Sequence, residues 1–71
     1  MNNNMNKLVK YDLYKHLNGL LYRVPLHSPL HEGAEYYGEY LQQWQMSCHT
    51  VFGLIYNSRS TLVARNVVFK D

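Results

Sequence analysis

Ser28-Pro29-Leu30-His31-Glu32-Gly33-Ala34-Glu35-Tyr36-Tyr37-Gly38-Glu39-Tyr40-Leu41-Gln42-Gln43-Trp44-Gln45-Met46-Ser47-Cys48-His49 is the stretch on which the fold turns. Within it Leu30, Ala34, Tyr37, Leu41, Trp44 and Cys48 recur at steps of four, three, four, three and four. That spacing draws a single apolar stripe along five helical turns. Ser28 supplies a capping hydroxyl, and Pro29 suits the first helical position. Glu32, Glu35 and Glu39 fall in the first half, where the positive end of a helix dipole favours carboxylates. The spacing therefore predicts one long helix, with Gly33 and Gly38 as weak points that permit close packing against a sheet.

On the N-terminal side, Tyr11-Asp12-Leu13-Tyr14-Lys15-His16-Leu17 and Leu20-Leu21-Tyr22-Arg23-Val24 flank Asn18-Gly19. Asn-Gly between two such runs is a strong signal for a two-residue hairpin. Pairing Leu17 with Leu20 puts Tyr11, Leu13, Lys15, Leu17, Leu20, Tyr22 and Val24 on one face, with Asp12, Tyr14, His16, Leu21 and Arg23 on the other. On the C-terminal side, Thr50–Tyr56 and Thr61–Phe69 are rich in β-branched and aromatic residues and are separated by Asn57-Ser58-Arg59-Ser60, which predicts a second hairpin. The expected fold is α+β with a ββαββ layout: a four-stranded antiparallel sheet of two hairpins with one helix packed on one face. Residues 1–6, rich in Asn, are expected to form a flexible N-terminal tail, and residues 7–71 a single small domain.

Composition narrows the function classes. A chain of 71 residues with 46% apolar and 17% charged residues is too hydrophobic for the disordered class, yet too short to bury much of its surface. The lone Cys48 cannot form an internal disulfide, and neither a signal peptide nor a membrane span is visible, so a soluble cytoplasmic protein is expected. No Lys or Arg stands between Arg23 and Arg59, while three glutamates do; the middle of the chain is acidic and its flanks are basic.

Candidate chemistry is sparse. His27, His31, Glu32, Cys48 and His49 include the ligand types a transition metal takes, but a helix would set position 48 about 25 Å from its start, so no metal or other cofactor is expected. Cys48, on the apolar stripe, reads as a small buried hydrophobe rather than a nucleophile. The glutamates read as a solvated helix face, and no phosphate-binding loop or dinucleotide fingerprint is present. The expectation is thus a non-catalytic protein.

Three surfaces stand out. The outer helix face bearing Glu32, Glu35, Tyr36, Glu39, Tyr40 and Gln43 is the expected site for a larger protein partner, since tyrosine is favoured at interfaces. The sheet face with Phe52, Leu54, Val63, Val67 and Phe69 is the expected self-association surface of a homodimer. A basic and aromatic set on the first hairpin, Lys10, Tyr14, Lys15, His16 and Arg23, offers the alternative of nucleic-acid binding, with few cations to support it. The favoured reading is a small regulator or inhibitor that occludes a surface of a larger protein, a strategy common among short proteins of phages and mobile elements.

Overall fold

The computed structural model describes residues 8–57 and 59–70. Its elements are β1 (Leu8–His16), β2 (Leu21–Pro25), β3 (Gly33–Gly38), β4 (Gln43–Thr50), α1 (Val51–Tyr56) and β5 (Ser60–Lys70). All five strands form one antiparallel sheet in the order β4-β3-β2-β1-β5. The fold is α+β, but its layout is ββββαβ and not ββαββ. The expected tail at residues 1–6 lies outside the described residues.

The largest correction concerns the long helix. Residues 33–50 instead form the β3–β4 hairpin, with Tyr36 opposite Gln45 and Tyr37 opposite Trp44. A period of two underlies the apparent helical stripe. Ala34, Tyr36 and Gly38 face α1, whereas Glu35 and Tyr37 point to the other side. Leu30 and Leu41 lie in loops, and Cys48 is exposed rather than buried. Tyr and Trp favour strands, and two interior glycines would cost a helix about 1 kcal/mol each. A Cβ on Gly33 would stand 2.7 Å from the Met46 sulfur, so the exposed Met46 side chain would have to shift to admit one.

The first hairpin forms where expected, but its register is shifted by one. Tyr14 pairs with Tyr22 and Asp12 with Val24. The connection is a three-residue loop, Leu17-Asn18-Gly19, closed by His16 N–H to the Leu20 carbonyl at 3.1 Å and Gly19 N–H to the His16 carbonyl at 2.9 Å. Only Gly19 takes positive φ, at 89°, as the third residue of such a loop requires. Asn18 secures the loop: its backbone N–H donates to His16 Nδ1, its Oδ1 accepts from Leu20 N–H, and its Nδ2 donates to the Tyr22 hydroxyl. A one-residue shift exchanges faces, so Tyr22 and Val24 share a side with Tyr14 and His16, and Leu17 is left exposed.

The second hairpin is also replaced. Val51–Tyr56 is helical, capped by the Thr50 hydroxyl, which accepts from Gly53 N–H at 3.0 Å. Val51 and Leu54, three apart, sink into Tyr22, Val24 and Ala34. Across this helix the chain moves from one sheet edge to the other, where β5 pairs with β1 from Leu8–Lys70 to His16–Ser60. Two register breaks interrupt that ladder, and near them Asn66 adopts a φ of 56° and donates its N–H to Asp12 Oδ1.

Twist gives the sheet a cluster on each side. His16 and His49 lie on strands three positions apart, about 14 Å in a flat sheet, yet their rings are 5.0 Å apart beside Tyr22 on the α1 side. Trp44 and Phe69 belong to the two edge strands, about 19 Å apart if flat, yet their rings are 5.6 Å apart on the opposite side. A saddle-shaped twist brings one pair of diagonal corners together on each face. The α1-side core is small enough for a single truncation to be felt. Leu54→Ala should destabilise the protein by about 3 kcal/mol, read as a lower urea midpoint in Trp44 fluorescence.

Candidate functional site

Opposite α1, Arg23 is the centre of the second cluster. Its guanidinium carbon lies 4.2 Å from the Tyr11 ring centroid, 4.6 Å from Trp44 and 4.9 Å from Phe69. Its Nε donates to Glu35 Oε1 at 2.7 Å. Stacked and paired in this way, Arg23 is committed to the fold.

The basic and aromatic set is consequently dispersed. Arg23 is enclosed on one side of the sheet, whereas Tyr14 and His16 lie on the α1 side, His16 buried. Lys10 and Lys15 are both exposed, but five residues apart on one strand they point to opposite faces. Tyr14 is half-buried; desolvation first, then the neighbouring Asp12 carboxylate, push its phenol above the ordinary tyrosine range, with Arg65 opposing.

The apolar set is dispersed as well, because residues 51–56 are helical. Leu54 is buried in the core, Phe69 packs edge-on against Tyr11 and Trp44, and Val67 is half-buried. Phe52 and Val63 are exposed on different elements, Phe52 beside Tyr56 with rings 5.0 Å apart. These five residues do not make up one sheet face.

The acidic and tyrosine set falls into two groups in place of a helix face. Glu32 and Glu35 line a groove of about 410 Å³ with Tyr11, Pro25, Pro29 and Met46. Tyr36, Glu39 and Tyr40 come together with Leu20, Leu41 and Gln45 around a groove of about 290 Å³ at the β3–β4 turn. Gln43, exposed, opens β4 next to that turn. The floor is fixed by the Tyr36 hydroxyl, which donates to Gln45 Oε1 at 2.7 Å. At the rim, Tyr40 is 96% exposed and Leu41 is 55% exposed. Gln42 closes the turn with a φ of 54°.

Sequence reasoning placed Tyr36, Glu39 and Tyr40 in a binding surface but missed Leu20 and Leu41. A hairpin reading of Gly38 to Gln43 would have carried Leu41 to the tip with Tyr40. Among the described residues no group of three or more His, Cys, Asp or Glu is placed to hold a metal ion. Nor, among them, is any helix long and apolar enough to cross a membrane. No family model matches the chain, and neither the curated proteins nor the solved structures compared with it give a match.

Two measurements test this arrangement. Arg23→Met removes the cation and strands the Glu35 carboxylate; it should cost about 2 kcal/mol, less than the roughly 3–5 of a fully enclosed pair because Glu35 is partly solvated. Urea unfolding followed by Trp44 emission gives the value, and an unchanged midpoint would refute the role. For Tyr14 the fold favours the neutral phenol, so the unfolded chain ionises first. Stability is intact below about pH 10 and declines as pH rises through the higher folded value. Tyr14→Phe should flatten that decline in a series of urea midpoints, while the parent curve keeps it.

Proposed function

We propose that this chain is a non-catalytic protein-recognition module that occludes a surface of a larger protein, with the β3–β4 turn as its inserting element. The observation that carries the reading is Tyr40, 96% exposed beside Leu41 at the end of a hairpin whose base is fixed by packing. A nearly free tyrosine with an apolar neighbour loses little on exposure and gains much when a partner desolvates it. Tyrosine offers a large amphipathic area with few rotatable bonds, which keeps the ordering cost low. Behind the tip, the groove between Leu20, Tyr36 and Leu41 accepts one side chain from the partner, and Glu39 on its rim favours a basic one.

The non-catalytic part of the reading rests on how the carboxylates are used. Glu32 and Glu35 share a groove, but Glu35 is held by Arg23 and Glu32 stands at the surface, with 57% of its side chain exposed. Acid–base catalysis requires groups whose environments set their protonation apart in a water-excluding site.

Tyr40→Ala should weaken partner binding about 30-fold or more, the loss of a central interface residue, while leaving Trp44 emission unchanged. The measurement is quantitative affinity capture from host lysate, with a photo-crosslinker at position 40 to identify the contact. Capture that is identical for the parent chain and Tyr40→Ala removes the tip from the binding surface.

A further inference from the structure

The two edges of the sheet differ in charge. Edge strand β4, Gln43-Trp44-Gln45-Met46-Ser47-Cys48-His49-Thr50, contains no Lys, Arg, Asp, Glu or Pro. Edges of soluble sheets are ordinarily guarded by such residues or by bulges against pairing with another chain; β4 has an irregularity at Ser47–His49, where the His49 N–H donates to Ser47 Oγ, so Gln43–Met46 is its regular stretch. Carboxylates flank it instead. Glu39 lies in the turn that leads into β4, and Glu32 sits at its far end, where the Glu32 carbonyl accepts from Val51 N–H at 2.8 Å. The opposite edge, β5, carries Arg65 and Lys70 and is preceded by Arg59, all exposed, with exposed Lys10 and Lys15 on the adjoining β1.

This layout opposes two of the three possible edge pairings. Antiparallel β4–β4 contact would bring Glu39 of one copy toward Glu32 of the other at both ends. Contact of β5 with β5 would oppose cation to cation. Only β4 against β5 sets acid beside base, and like-charge contacts disfavour the other two. We infer that the chain associates with itself head to tail, the acid-flanked β4 edge of one copy pairing with the basic β5 edge of the next. Such a contact is heterologous, so it closes into a ring or extends as a filament.

Sedimentation of the full chain supplies the first test, run from dilute protein to about 1 mM at about 50 mM and about 500 mM NaCl. The expected result is association at low salt that weakens about tenfold or more at high salt, as screened ion contacts require. A monomer throughout overturns the proposal. The second test distinguishes the pairings. Arg65→Glu with Lys70→Glu should abolish association, as should Glu32→Lys with Glu39→Lys; mixing the two variants should restore it, because each then offers the edge the other needs. Association of the Arg65→Glu, Lys70→Glu chain at parental strength overturns the proposal.

Discussion

A cation enclosed by protein is tolerated only when its charge is answered, and in this fold every strand helps to answer one. Arg23 stands on β2, Tyr11 on β1, Glu35 on β3, Trp44 on β4 and Phe69 on β5. The rings meet the guanidinium within 4.9 Å and the carboxylate meets it at 2.7 Å. An isolated buried charge would be costly, whereas a planar guanidinium stacks on aromatic faces and pairs with a carboxylate at its edge. The cluster forms only if the sheet is twisted enough for β4 and β5 to approach, so it ties local side-chain chemistry to the global curvature. An apolar side chain at position 23 could fill the space but would leave Glu35 without its partner.

The same twist is what allows so short a chain to use both sides of its sheet. On the α1 side, the fully buried residues are few and include Tyr22, Val51 and Leu54, and the histidine pair completes the corner. A flat five-stranded sheet with one six-residue helix would leave most of both faces wet. Curling one diagonal toward α1 and the other away from it gives two small clusters: Val24, Ala34, Val51 and Leu54 around Tyr22 on the α1 side, and aromatic rings around Arg23 on the other. The tyrosine content belongs partly to this arrangement: Tyr11 and Tyr22 are buried, one on each side. It belongs partly to the surface, where Tyr40 and Tyr56 are exposed.

Strand signals were legible where alternation and turn chemistry agreed. The run Tyr11–Leu17 contains most of β1, Leu20–Val24 most of β2, and Thr61–Phe69 nearly all of β5. The registers were less so, because Asn-Gly can also fill a three-residue loop with Gly19 at its positive-φ third position, and here the Asn18 side chain holds that loop through the Tyr22 hydroxyl and the Leu20 N–H. The long helix was misread for a physical reason. Leu30 and Leu41 sit in loops on either side of β3, and their placement three or four residues from Ala34, Tyr37 and Trp44 imitates a helical stripe. Strand propensity at Tyr36-Tyr37 and Trp44 pointed the other way and was outweighed in the sequence by periodicity. The short helix was hidden by its β-branched and aromatic composition, since Thr50 capping and the Val51–Leu54 spacing are weak signals over six residues. At the candidate site, Glu39 and Tyr40 were legible as exposed residues, whereas Tyr36, expected on an outer face, packs against the α1-side core; their meeting around Leu20 depends on a hairpin that periodicity concealed.

Charge along the chain becomes polarity across the sheet because of its topology. A four-strand meander keeps sequence neighbours adjacent in space, so the acidic middle of the chain is carried outward to β3, β4 and their turns. The helix then returns the chain over one face, and β5 docks on β1, which joins the two basic flanks of the sequence at a single edge. Had β5 paired with β4, acid and base would have neutralised each other within the monomer, and the strand lacking guarding charges would have been covered. The order β4-β3-β2-β1-β5 instead separates them by the width of the sheet. With β5 on the far side of β1, Phe69 meets Trp44 across the curled sheet to complete the Arg23 cluster, and β4 is left as the edge at the acidic side.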